Sequence, residues 1–199
     1  MKFILGKKQN MTQVFDANGK VIPATVVSAG PVSAVQIKTK EKDGYEAVVF
    51  GYGSKKEKRV NKAQRKLGNF AHLKEYRPEN GEIKAELGSS FDVSVFNEGD
   101  VVEVSGISKG KGFQGVVKRH GFKGGQRTHG QKHSEREPGT IGGGLRTRVP
   151  SGMRMAGRMG SDRVTVKNLK IIKTDKDKNQ ILISGAVPGK RGTLLEIRG

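Results

Sequence analysis

The chain has 199 residues, with 38 Lys and Arg against 19 Asp and Glu, a formal charge of +19 and a pI near 10.2. An excess of that size points to a polyanionic partner and away from an ordinary neutral enzyme. Only 33% of the residues are hydrophobic, Trp is absent and Gly numbers 29, so a core can form only where the apolar residues are concentrated.

From Met1 to about Gly53 the pattern is strand-like, in the runs FILGKK, MTQVFD, VIPATVVSAG, SAVQIKTK and YEAVVFGYG. Asn18-Gly19, Gly30-Pro31 and Asp43-Gly44 punctuate these β-branched stretches and predict an antiparallel meander. A basic, polar stretch follows, in which Val60, Ala63 and Leu67 stand at helical spacing before Gly68 and Pro78. It predicts one short helix within a surface insertion. Strands resume at SSFDVSVF and DVVEVSGIS, the second with Val102 and Val104 on one face and Val101, Glu103 and Ser105 on the other.

Beyond Gly106 the composition changes. Residues 106–163 hold 15 of the glycines and 13 Lys and Arg, against Glu135, Glu137 and Asp162. The 18 positions from Lys123 to Thr140 contain no aliphatic side chain, no Phe, Tyr or Trp and no Met. Such a segment buries no apolar surface to offset an ordering cost of about 1–2 kcal/mol per residue, so alone in water it is expected to be disordered. It predicts an extended arm. After it, DRVTVKNLKIIKTD, NQILISGAVPG and GTLLEIRG alternate again, with a turn at Asp177 to Asn179. Many short strands on both sides of the arm suggest an all-β body closed as a barrel, and no internal repeat is visible.

Cysteine is absent, which excludes disulfides and thiolate-held metal. The apolar run Phe3 to Leu5 is too short for a signal peptide core, and no stretch approaches the ~18 consecutive apolar residues of a membrane span. The chain is therefore expected to be soluble and cytoplasmic, with no membrane partner. No basic amphipathic helix of useful length is present, which favours nucleic acid over an anionic membrane surface.

Several motifs suggest catalysis and fail on context. Gly110 to Gly115 reads GKGFQG, matching the dinucleotide fingerprint G-x-G-x-x-G, but Gly121 stops any helix after at most two turns, where a βαβ unit needs a longer one. With Val117 the run also matches a kinase glycine loop, but the lysine strand, the HRD loop and the DFG motif are missing. A better reading is a turn rich in free backbone N–H groups and a short helix. Phe113, Val116 and Val117 then face the body, and Lys109, Lys111, Lys118 and Arg119 meet phosphate. His129 and His133 lie at a spacing that zinc ligands use, but the glycines around them oppose a helix and no third ligand completes a site, so no metal is expected. His120 and His129 suit base stacking or bonds to phosphate and 2′-hydroxyl groups. Neither a nucleophile elbow nor a rigid acid/base pair of carboxylates is found. The chain is expected to be no enzyme and to take no cofactor or small-molecule substrate.

The arginines at 127, 136, 146, 148, 154, 158 and 163 outnumber the arm's lysines seven to two. Arginine offers a planar fork for phosphate and stacks on bases, whereas a merely solubilising surface favours Lys. Met153, Met155 and Met159 add adaptable apolar contacts. A flexible basic tail, a general DNA-architectural protein and a glycine-loop nucleotide-binding enzyme remain as alternatives on composition and motif.

Three stretches, ILGKKQNMTQVFD, VSGISKGKGFQGVVKRHGF and RMAGRMGSDRVTVKNLKII followed by GAVPG, carry a likeness along essentially the whole chain. The sequence resembles the universal uL-three family of bacterial large-subunit ribosomal proteins. Phe96, Gly106, Ser108, Gly110-Lys111-Gly112, Gly115 and Arg119 fall at the spacing of that family's signature, with Glu103 where the family usually has Asp or Asn. The resemblance implies a mainly β fold: a six-stranded Greek-key barrel of the translation-protein type, an α+β insertion and a long basic arm. On that basis residues 1–53, 91–121 and 159–199 are expected to form the barrel body, 54–90 the insertion and 122–158 an arm that penetrates ribosomal RNA. It further implies binding near the 3′ end of 23S rRNA, nucleation of 50S assembly, an arm directed toward the peptidyl-transferase centre, and large-subunit proteins fourteen and nineteen as neighbours. Some relatives carry a methylated glutamine near the arm tip; here Gly143, Gly144 and Leu145 stand in that region, so the modification is expected to be absent. The residues expected to meet RNA are Lys109, Lys111, Lys118, Arg119, Lys123, Arg127, His129, Arg136, Arg146, Arg148, Arg154, Arg158 and Arg163.

Overall fold

Alternating β-branched residues flanked by Gly turns dominate the described chain, and in the computed structural model they form strands. The structure describes residues 2–16, 18–78, 85–143 and 147–199. It divides into two compact units, Met1–Ile107 with Arg163–Gly199, and Ser108–Asp162.

In the first unit, strands β1 (Phe3–Phe15) and β2 (Val21–Ala29) form a hairpin, closed where the Asp16 amide donates to Lys20 O and the Gly19 amide to Asp16 O. The turn falls at the Asn18-Gly19 signal. Strands β3 (Val32–Lys38) and β4 (Ala47–Ser54) flank a single helical turn, α1 (Lys40–Asp43), which ends at Gly44. Strands β5 (Phe70–Tyr76), β6 (Ser90–Phe91) and β7 (Val101–Ile107) follow. The second unit contributes β8 (Phe113–Gln114), α2 (Val116–His120) and β9 (Gly157–Arg158). The first then resumes with β10 (Arg163–Asp175), β11 (Gln180–Ser184) and β12 (Leu194–Arg198).

Six strands close an antiparallel barrel in the order β1-β12-β7-β10-β11-β2. β7, β10 and β11 neighbour one another in chain order while β12 returns to lie beside β7, which is Greek-key connectivity. Closure leaves no barrel edge unpaired. Its interior is filled by alternate residues, Val102 and Val104 on β7, Ile181 and Ile183 on β11, Leu195 and Ile197 on β12, all essentially without solvent access; on β1 the consecutive Ile4 and Leu5 are both buried, one on each face of the strand.

The meander expectation for residues 1–53 needs correction at its second half. β3 and β4 leave the barrel and form a separate four-stranded sheet ordered β5-β4-β3-β6. Alternation shows that a strand is half-covered, but not which partner covers it. β4 is buried along Ala47–Tyr52 on both faces, as a central strand must be. The sheet shares one core with the barrel, where the Phe3 ring lies 5.2 Å from Phe50 and 4.6 Å from Tyr76. The short helix expected around Val60 to Leu67 is present as two 3₁₀ turns, Glu57–Arg59 and Lys62–Leu67, the second ending at Gly68. SSFDVSVF, expected as a strand, pairs only at Ser90–Phe91 before a 3₁₀ turn at Val93–Val95, where Asp92 accepts from the Ser94 amide. That capping bond competes with continuing the ladder.

Among the described residues, Glu196 is the charged one that is buried. Its carboxylate accepts from Arg163 Nη2 at 2.6 Å and pairs with Lys74 Nζ at 3.0 Å. Burial works to raise its pKa, but the hydrogen bonds from Lys74 and Arg163 prevail and hold it below the ordinary glutamate value. With the folded pKa depressed, the stabilisation is complete above the unfolded-state value of about 4.3 and is lost as pH falls through the folded value. Denaturant unfolding from pH 7 down to pH 3 is therefore expected to show the stability gap between wild type and Glu196→Gln holding steady and then closing in the acid range. Ile197→Ala removes a side chain with 0% exposure from the barrel interior and is expected to cost about 2–5 kcal/mol in the same measurement.

Candidate nucleic-acid interface

Glycine-rich sequence with few apolar residues cannot hold a shape by burial, so the second unit is organised by its backbone. The Ser108 amide donates to Asp162 O at 2.9 Å, Lys111 to Met159 O at 2.9 Å and Met159 to Gly112 O at 3.0 Å. Beyond these bonds β8 pairs with β9, setting Phe113 opposite Arg158 and Gln114 opposite Gly157. Gly160 is required here. It sits at φ +80, and a Cβ would come within 2.1 Å of Lys109 O.

The helix α2 spans five residues, in keeping with the limit of two turns set by Gly121, and it buries Val116. From its last turn, Arg119 Nη1 donates to Met155 O at 2.8 Å and the His120 ring approaches the same carbonyl at 3.1 Å. Arg119 lies so close to the strand backbone that a Cβ on Gly157 would meet its Nη1 at 2.5 Å. Further along, the Gly125 amide donates to Glu135 O at 3.0 Å, closing a loop in which Arg127 Nε is 3.5 Å from Glu135. Among the described residues, that is the one ion pair within the unit.

Residues 153–159 alternate. Met153, Met155 and Met159 are half-buried while Arg154 and Arg158 are exposed. The half-buried thioethers and the exposed guanidiniums thus take turns along the stretch, of which Gly157–Arg158 is strand. Lys109, Lys111, Lys118, Lys123, Arg127, Arg136 and Arg148 are also exposed, so most of the described cations of the unit face outward, and among the described residues a single carboxylate is paired to any of them. No group of three or more His, Asp or Glu positioned to hold a metal occurs among the described residues, and none of their helices is long and apolar enough to cross a membrane.

The comparisons with known proteins agree on one family. The family model described as Ribosomal protein L3 matches residues 53–184. A protein named large ribosomal subunit protein uL3 from Finegoldia magna is 46% identical over 206 aligned residues, covering 100% of this chain and 97% of that protein. Proteins of the same name from Chloroherpeton thalassium and Mycolicibacterium gilvum are 48% and 50% identical, each covering 99% of this chain and 98% and 95% of their own lengths.

The chain belongs to the ribosomal protein L3 family. It is a structural constituent of the large subunit of a bacterial ribosome, located in the cytoplasm, and not an enzyme.

Of the thirteen positions singled out from the sequence, eleven fall within the described part of the second unit. Arg146 lies outside the described residues. Arg163 lies in the first unit, at the start of β10, where Glu196 takes up its guanidinium. His129 occupies a turn at φ 59 and is exposed. Phe113 corrects one expectation. The sequence reading sets it with Val116 and Val117 against the body, but it precedes the helix, belongs to β8 and is 75% exposed, while Val116 is 2% exposed. Helical spacing does not apply to a residue in a strand.

One cationic group was missed from the sequence. Lys7 Nζ lies 5.9 Å from the Tyr52 ring, which stacks on His72 at 6.4 Å. Burial, and then Lys7, Lys55 and Lys74, hold the His72 pKa below its usual value. These residues come from β1, β4 and β5 and the residue just after β4, and no local pattern unites them. Replacing Gly160 with Ala is expected to open the strand pairing in the second unit, raising hydrogen exchange at the Lys111 and Met159 amides by at least about tenfold.

Proposed function

We propose that the chain binds ribosomal RNA directly through its second unit, which neutralises phosphate where RNA segments approach closely. The observation that carries this reading is the display of exposed Lys and Arg on a backbone-held frame in which one carboxylate pairs with one of them. Counterion release from phosphate is the natural outlet for such a surface. Over residues 123–163 arginine outnumbers lysine seven to two in the sequence, which fits bidentate contact with phosphate and stacking on bases. Residues Lys109, Lys111, Lys118, Arg119, Lys123, Arg127, His129, Arg136, Arg148, Arg154 and Arg158 form the proposed contact set. In Arg119 the bond to Met155 O fixes the guanidinium and leaves its other donors for phosphate. Arg146 joins the set by sequence alone, and Arg163 through the half of its side chain that remains exposed.

Family resemblance supports the finer assignments. The partner is 23S rRNA near its 3′ end, the barrel sits against the folded RNA, and the segment 122–158 extends toward the peptidyl-transferase centre, ordered by the RNA it enters. Binding there helps to nucleate assembly of the subunit, and large-subunit proteins fourteen and nineteen are the proposed protein neighbours.

Filter binding of the full chain to transcribed 23S rRNA across a salt series tests the core of this reading. Affinity is expected to fall steeply with salt, and changing Arg136, Arg148 and Arg154 together to Gln is expected to flatten the log–log slope by about 2 to 3. Random duplex DNA competing as well as the rRNA at equal salt would contradict the proposal.

A further inference from the structure

Phe113 is the most exposed large apolar side chain among the described residues, at 75%. Among the described residues its ring has no aromatic neighbour and no cation over it, whereas the rings of Tyr45, Tyr52 and Tyr76 are each covered by Lys or Arg. The flanking Gly112 and Gly115 also face open space, since a Cβ on either would meet nothing within 4 Å. Across the strand pair stands Arg158, exposed, and Lys111 lies two residues away.

The setting narrows what could cover this ring. From Val104 to Ser134 the sequence holds no Asp or Glu, while seven Lys and Arg occupy the same stretch. An apolar pocket on a protein would have to seat Phe113 and at the same time desolvate or pair the cations beside it, at high cost. An unpaired nucleotide meets both demands, since it carries a flat apolar base next to a phosphate.

We propose that Phe113 is a stacking platform for one unpaired nucleobase of ribosomal RNA, with Arg158 and Lys111 holding the adjoining phosphates. The inference rests on the RNA-binding reading above and adds to it a contact independent of charge. Stacking of this kind accepts any base, so Phe113 adds affinity for single-stranded RNA without reading sequence. It also selects unpaired nucleotides over duplex, in which the base faces are already covered.

The test uses the full chain and transcribed 23S rRNA, with Kd measured across salt for wild type, Phe113→Ala, Phe113→Leu, Phe113→Trp and Arg158→Gln. Thermal unfolding checks each variant; the ring is exposed, so the midpoints are expected to match wild type. Phe113→Ala and Phe113→Leu are expected to raise Kd about tenfold or more at every salt concentration with the slope unchanged, and Phe113→Trp to retain wild-type affinity. Arg158→Gln is expected to flatten the slope by about 1. Wild-type affinity in Phe113→Ala alongside a flattened slope in Arg158→Gln overturns the stacking contact and leaves RNA binding standing. Full affinity in Phe113→Leu with loss in Phe113→Trp indicates a shaped apolar pocket and overturns it as well. Absence of salt-dependent binding by the wild type overturns the RNA-binding reading itself.

Discussion

Like charges repel, and the second unit gathers twelve Lys and Arg against three Asp and Glu with little apolar interior to hold them together. Peptide hydrogen bonds supply the frame instead: Ser108 to Asp162, Lys111 to Met159 and Gly125 to Glu135 pair distant parts of the chain at 2.9–3.0 Å. Each such bond is worth about 1 kcal/mol net in water, comparable to the repulsion between two exposed cations a few ångströms apart. The balance is close. Salt or a polyanion that screens the cations therefore tips it toward order, and on the proposed reading RNA acts both as ligand and as a stabilising part of the unit.

The first unit follows other rules. Its barrel and sheet share an apolar core that runs from Phe3 and Phe50 to Ile183 and Ile197. Charges near that core are matched one to another: Glu196 with Lys74 and Arg163, Glu75 with Lys38 and Arg77, Asp100 with Lys2. Matching matters because an unpaired carboxylate at the depth of Glu196 carries a desolvation cost that three nearby cations remove. One chain thus contains a body that needs no partner for its core and an insertion whose charges ask for one.

Much of this was legible in the residues, because the signals involved are local. Asn18-Gly19 set the first hairpin, and the Val101 to Ser105 alternation marked an inward face at Val102 and Val104. The partners of β3 and β4 were not legible, since a strand's own sequence carries its burial and not its neighbour. Phe113 was misplaced for a related reason. Its spacing from Val116 suits a helix, but helix α2 begins only at Val116, and which residues precede the first turn depends on the pairing with Arg158 some 45 positions later. The Lys7, Lys55, Lys74 and His72 group needed a barrel strand and the separate sheet to be brought together before it existed.

The strands that feed the second unit are neighbours in the barrel, with Ile107 opposite Arg163, and the unit's own first and last residues are joined by the Ser108 and Asp162 backbone bond. Such a pinched neck settles the entropy of closure at its base. Lengthening or shortening the far end then changes the cost only with the logarithm of loop length. A chain built in this way can vary its reach while the barrel that carries it stays the same.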